Sequence, residues 1–228
     1  MSSENPFEIV ARLETSIGLS SGFFKKLQEE DDWTHVVKLH ALLEAALSHV
    51  IVHRLDCDAL GPPISRLEMS DKDKGKVAFA SALGLIEAAD RAFIILLSQL
   101  RNKCVHDVRQ AEEFSLAKTC AAMDASQKNN FVKAVWIDEE TRASVKGKLL
   151  SSPRIFLHLG ALRVLAVLCM RKETETLRRQ YDEMVKQGYD ELVKQREEET
   201  GRSALHDALL IARARQEQEQ SGGQDKEA

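Results

Sequence analysis

The chain has 228 residues, 43% of them apolar, and sets 32 basic against 36 acidic side chains for a formal net charge of −4. That is enough apolar material for one core with an appendage or a second small domain. The charge excludes a global basic field that would draw in nucleic acid, so any such contact has to be local. Four cysteines, Cys57, Cys104, Cys120 and Cys169, are scattered without close pairing, and no charged start followed by an apolar signal core opens the sequence. The expectation is a reduced, cytoplasmic protein.

In chain order, Asn5-Pro6-Phe7-Glu8 combines an N-cap residue, a proline at the first helical position and an acid three residues after the cap, and predicts a helix to about Ile17. Gly18 and Ser20-Ser21-Gly22 break it. Asp31-Asp32 then cap a long helix from Trp33 to about Leu55. Its apolar positions Val36, Leu39, Leu43, Leu47, Val50 and Ile51 follow three- and four-residue steps and make it a core helix. Gly61-Pro62-Pro63 predicts a connecting loop, since proline cannot continue a helix. Further helices are expected from about Lys72 to Glu87, from about Asp90 into Arg101-Asn102, and from about Gln110 to Met123. Ser126 to Asn130 reads as a polar break, and residues 131–148 carry no decisive pattern, fitting a short helix or an extended piece.

Pro153 opens a very long helical pattern, apolar through Leu157, Leu162, Leu165 and Leu168 and increasingly charged beyond Arg171. The fold class is therefore all-α: a helical bundle over residues 1–170 and a charged helical extension over 171–228. The extension holds 11 basic and 14 acidic residues. Within it, a heptapeptide beginning at Tyr181 nearly repeats at Tyr189, leaving a narrow stripe of Tyr181, Met184, Val185, Tyr189, Leu192 and Val193 that wants a partner. Gly201 should interrupt the helix, and Ser221-Gly222-Gly223 should open a disordered tail. The longest apolar run, Ala92 to Leu100, falls well short of the ~20 residues that span a bilayer, so no membrane segment is expected.

That apolar run ends in Arg101-Asn102-Lys103-Cys104-Val105-His106. An arginine that keeps its charge stabilises phosphate oxyanions, and a histidine with an ordinary pKa of ~6.5 exchanges a proton near neutrality, so the pair suits metal-free phosphoryl transfer. Basic residues and an asparagine also suit an ordinary helix C-terminus. An arginine, a polar residue and a histidine after four intervening residues, preceded by Leu42-Leu43-Glu44, by the Gly-Pro-Pro segment and by Ala82-Leu83-Gly84-Leu85-Ile86, resemble the HEPN superfamily of helical domains. The likeness is to its mannitol-repressor-like (MltR-like) branch and covers roughly residues 30–125.

The resemblance implies an antiparallel HEPN-like bundle and a metal-independent endoribonuclease of the toxin or phage-defence kind, with no cofactor. RNA would be the substrate and a homodimer the working unit. His106 would move a proton, Arg101 would stabilise the phosphate, and Asn102 would orient either group or the RNA. An antitoxin or regulatory protein would dock on the C-terminal helix. The alternatives are a non-catalytic regulator like the mannitol repressor and an interaction subunit whose motif is relictual.

Five residues at about 100° each separate Arg101 from His106 by about 140° on a continuous helix. Either the helix ends inside the motif or the working site draws on two chains. Glu44, a carboxylate in an apolar stripe, either braces Arg101 or lies exposed at the margin. His49, His53 and Cys57 share the four-residue spacing of metal ligands, but one helix ridge seldom closes a tetrahedral site, and no metal site is expected. His35, His40 and His158 read as packing or surface residues, and Lys72, Lys74 and Lys76 as a solvated face, with contact to RNA phosphates as the lesser alternative.

Overall fold

In this computed structural model the described residues are 6–106, 109–200 and 206–213, and their regular structure is helical, with no strand among them. The chain divides into two compact units, Met1–Glu175 and Thr176–Ala228. In the first unit, α1 (Pro6–Ser16) and α2 (Phe23–Glu29) are parted at Gly18 and Gly22. Both glycines adopt the left-handed backbone, φ 75° and 78°, that a side chain would disfavour. Buried Glu14 seals the junction by accepting the N–H of Gly22 at 2.7 Å and of Phe24 at 2.9 Å, satisfying donors that the first turn of α2 leaves open.

The long helix α3 (Asp32–Leu55) starts where Asp31 accepts the N–H of Thr34 at 2.9 Å and stops at Asp56 in a left-handed cap. Its buried stripe comprises the six apolar positions foreseen from the sequence, joined by His35 and His40. Gly61-Pro62-Pro63 is not a loop. It forms the first turn of α4 (Gly61–Ser65), where the N–H that proline lacks would have been unpaired anyway.

The helix expected from Lys72 shortens to α5 (Lys76–Ala82). Asp71 accepts the N–H of Asp73 at 2.9 Å and of Lys74 at 3.1 Å, which curls residues 71–75 into a loop. Gly75 closes that loop so tightly that a Cβ there would lie 2.5 Å from the Glu68 carbonyl oxygen. A capping box between Glu87 and Asp90 then starts α6 (Ala88–Val105).

The single helix expected from Gln110 is split into α7 (Gln110–Glu113) and α8 (Leu116–Ala122), because Ser115 caps a new start by accepting the N–H of Lys118. The expected polar break at Ser126 to Asn130 lies inside α9 (Ala125–Val135). Asp124 and Gln127 form a capping box there, and the polar residues are the solvated face of a helix that buries Phe131, Val132 and Val135. Asp138 caps α10 (Glu139–Ser151), which resolves the undecided segment as helix, and α11 (Pro153–Thr200) follows. Residues 206–213 are helical as well. Asn5, Gly201 and Ser221-Gly222-Gly223 lie outside the described residues.

The core of the first unit is the seam between α3 and α6, extended by α9 and by the first turns of α11. Leu157, Ala161, Val164, Leu165 and Leu168 of α11 are buried, and three arginines stitch that helix to its neighbours. Arg154 donates to Asp32 at 3.3 Å and to the Gln28 carbonyl at 2.8 Å, Arg163 pairs with buried Asp90, and Arg54 of α3 pairs with Glu175. By length and apolar composition α3 and α11 could each cross a bilayer. Core helices pass the same test, and here both helices bury an apolar face in the bundle while Ile155, Leu159 and Met170 of α11 stay exposed.

Gly160 shows how close α11 comes to α6: a Cβ at this position would sit 2.3 Å from the ring of Phe93, itself fully buried. Gly160→Ala is expected to destabilise by about 1–3 kcal/mol through overpacking, outweighing the helix-propensity gain of about 1 kcal/mol. Gly188→Ala, with nothing within 4 Å, should show only that gain. Chemical denaturation of both variants checks the contrast, and an equal response at the two sites would refute the close contact.

Two of the buried histidines make the bundle sensitive to acid. The rings of His35 and His158 lie 5.2 Å apart, His35 donates from Nδ1 to the Leu27 carbonyl at 2.9 Å, and His35 Nε2 and His158 Nδ1 have no protein partner. Burial, then the neighbouring His35 and Arg154, push His158 down to about 4, and burial also lowers His35. Both stay neutral in the fold, whereas the unfolded chain takes up protons below the ordinary value of 6.5. Stability is therefore complete above that value and is lost as pH falls from about 6.5 toward 4, with His158 contributing on the order of 3 kcal/mol. Melting temperatures across this window should show the decline, and His158→Leu should flatten it.

Candidate functional site

Helix α6 carries Arg101 and Asn102 in its last turns and is capped by His106. It continues through Val105, and His106 keeps a right-handed backbone, φ −79° and ψ −18°, while its N–H reaches the Asn102 carbonyl at 3.2 Å. The helix therefore ends inside the motif, one residue before His106, without a change of backbone direction. Arg101 and His106 of one chain keep their separation of about 140°.

Each member of the motif has a distinct setting. Arg101 is half-buried and donates from Nη1 to Asn102 Oδ1 at 3.2 Å, so Asn102 holds the guanidinium with its side chain and the His106 backbone with its carbonyl. His106 is exposed at the helix end. The last turn is fixed to α3 by the indole of Trp33, which donates to the Cys104 carbonyl at 2.9 Å and satisfies one of the acceptors a helix C-terminus leaves open.

The face of α6 that bears Arg101 looks toward α3, and the polar groups there were only partly visible in the sequence. Glu44 has a partner, but it is Lys76: the ammonium donates to Glu44 Oε1 at 2.6 Å and to the Ser65 carbonyl at 3.0 Å. His40 Nδ1 stands 3.8 Å from the other Glu44 oxygen. Lys76 is 1% exposed, which corrects its reading as part of a solvated face. The tight turn at Gly75 sets it down inside the bundle, and a lysine buried this deeply has to be paired. Its sequence signal is its position, between Gly75 and the apolar stretch Val77 to Ala80.

Burial lowers the pKa of His40 and Glu44 opposes the shift, while the positive charges of Arg101 and Lys76 push it down further. Arg101, His40, Glu44 and Lys76 therefore form one electrostatic neighbourhood, with Glu44 as its carboxylate. The thiol of Cys104 is pushed up to about 12 and that of Cys120 to about 11, both chiefly by burial, which removes them as nucleophiles at neutral pH. Among the described residues no group of three or more His, Cys, Asp or Glu could hold a metal, and His49, His53 and Cys57 form no such cluster. Comparison with known protein families, with curated proteins and with solved structures yields no match to this chain.

Removing one member of the Lys76–Glu44 pair strands the other. Glu44→Ala leaves a buried ammonium with only the Ser65 carbonyl and should cost about 2–3 kcal/mol, below the usual 3–5 because Glu44 is partly exposed. Adding Lys76→Met should restore most of the loss. Denaturant midpoints for the two single variants and the double variant complete the cycle, and strictly additive losses would mean that the pair is not coupled.

Proposed function

We propose that the chain is a metal-independent endoribonuclease of the HEPN type that works as a homodimer. The observation that carries this reading is the C-terminal end of α6, where a guanidinium held by an amide and an exposed imidazole stand within one and a half turns of each other on a helix anchored to the core. In the proposed reaction the ribose 2′-oxygen attacks the adjacent phosphorus and the P–O5′ bond breaks, leaving a 2′,3′-cyclic phosphate and a 5′-hydroxyl. His106 exchanges the proton that leaves the 2′-hydroxyl or arrives at the 5′-oxygen, and Arg101 neutralises charge growing on the non-bridging oxygens.

Asn102 positions Arg101. The angular separation within one α6 favours centres that combine Arg101 of one protomer with His106 of its partner, a surface that a two-fold axis uses twice. Such an enzyme would act as a toxin or defence effector restrained by another protein. The exposed stripe of Tyr181, Met184, Val185, Tyr189 and Leu192 in the second unit is where that protein would dock. The same stripe favours a second reading, a non-catalytic regulator or interaction subunit.

Labelled RNA incubated with the protein in EDTA should yield ends with 2′,3′-cyclic phosphate. Arg101→Ala and His106→Ala should each lower the rate by about 10²–10⁴ without loss of helix content. Cleavage that needs added divalent metal, or full activity in both variants, would overturn the assignment. If centres are shared, a mixed dimer of the two variants regains up to about half the activity, since one intact centre is rebuilt.

A further inference from the structure

The opposite face of α6 borders a groove of about 500 Å³ against α9, and its charge is one-sided. Lys72 on the loop before α5, Lys103 on α6 and Lys133 on α9 line it, together with the amides of Gln99, Gln127 and Asn130. Among the described residues no acidic side chain does. The three lysines are exposed, and among the described residues none of them is held in a salt bridge. Two acids next in sequence to lining residues accept backbone N–H groups: Asp71 those of Asp73 and Lys74, and Asp124 that of Gln127. Between the cations the floor is apolar, formed in part by the half-buried Ile95 and Leu96.

The groove runs toward the motif. Leu96, Gln99 and Lys103 follow one ridge of α6, and the next step of that ridge is His106, three residues after Lys103 and seven after Gln99. Arg101 lies on the other side. A ligand seated in the groove would therefore reach the imidazole end-on without first meeting the guanidinium of the same chain.

Ammonium groups spaced around a concave surface suit successive phosphates, side-chain amides suit base edges, and an apolar floor suits the faces of bases. We infer that the α6–α9 groove is the track that holds single-stranded RNA, with Lys72, Lys103 and Lys133 on its phosphates and the strand delivered to His106. For the identity of its ligand this inference rests on the nuclease reading. It goes further in naming the strand's path and the residues that bind it away from the reacting atoms.

The test uses the full chain and a fluorescein-labelled 2′-O-methyl oligouridylate of about ten nucleotides, which binds but cannot undergo attack by a 2′-hydroxyl. In fluorescence anisotropy, Lys103→Gln with Lys133→Gln should weaken binding roughly tenfold and lower the slope of log affinity against log salt by about 1.4, two single-strand phosphate contacts. Lys25→Gln with Lys148→Gln removes the same charge from exposed sites outside the groove and should change affinity less than about twofold. Equal losses in the two pairs would overturn the inference, as would an unchanged affinity in the groove pair. So would groove-dependent binding to anionic phospholipid vesicles without binding to the oligonucleotide. If the groove pair melts early, Lys133→Gln alone must still lower affinity measurably. Cleavage of ordinary RNA is scored separately: cleavage with groove-independent binding removes the track and leaves the nuclease, and groove-dependent binding without cleavage removes the nuclease and leaves the track.

Discussion

The seam between α3 and α6 is the constraint from which the arrangement of the first unit follows. Leu39, Leu43, Leu47 and Ile51 of α3 and Phe93, Ile94, Leu97 and Leu100 of α6 are each 1% exposed or less. Burial on this scale contributes about 1.5–3 kcal/mol per side chain before the entropy of ordering is subtracted. Apolar packing fixes the distance between two helices but tolerates sliding and rotation better than hydrogen bonds do. The polar contacts at the two ends of α6 remove that freedom. Asp90, tied to Arg163, fixes the start of the helix, and Trp33, bonded to the Cys104 carbonyl, fixes its last turn.

With α6 fixed in both position and rotation, the two faces of its last turns acquire different environments. Arg101 is directed toward α3, into the neighbourhood of His40, Glu44 and Lys76. His106 stands exposed on the ridge that passes Gln99 and Lys103. The guanidinium and the imidazole thus leave the last turns of one helix in directions about 140° apart.

The sequence revealed the elements whose signals are local and repeated. The stripe of α3, its Asp31 cap and the long pattern after Pro153 were legible because apolar spacing at three and four residues survives any tertiary context. What it concealed was decided by single contacts. Asp124 pairing with Gln127 turned a polar stretch into the start of α9, Ser115 divided an expected helix, and proline at a first turn counted as a helix start where it read as a breaker. Lys76 was misplaced for the same reason: its burial depends on a partner 32 positions earlier and on the turn at Gly75, neither of which periodicity can report. In the candidate site Arg101, Asn102 and His106 were singled out by the resemblance and the angle between Arg101 and His106 by helix geometry, whereas the lysines of the groove come from three separate elements that only the fold assembles.

The chain's net charge of −4 weighs against nucleic-acid binding only if charge is spread evenly, and it is not. Residues 171–228 hold 11 basic and 14 acidic side chains, so most of the excess negative charge lies outside the bundle. At physiological ionic strength a charge is largely screened beyond about 8 Å, so a phosphate in the groove responds to the lysines lining it and only weakly to the average over the molecule. No described acid lines the groove, and Asp71 and Asp124, next in sequence to the lining residues Lys72 and Met123, accept backbone N–H groups.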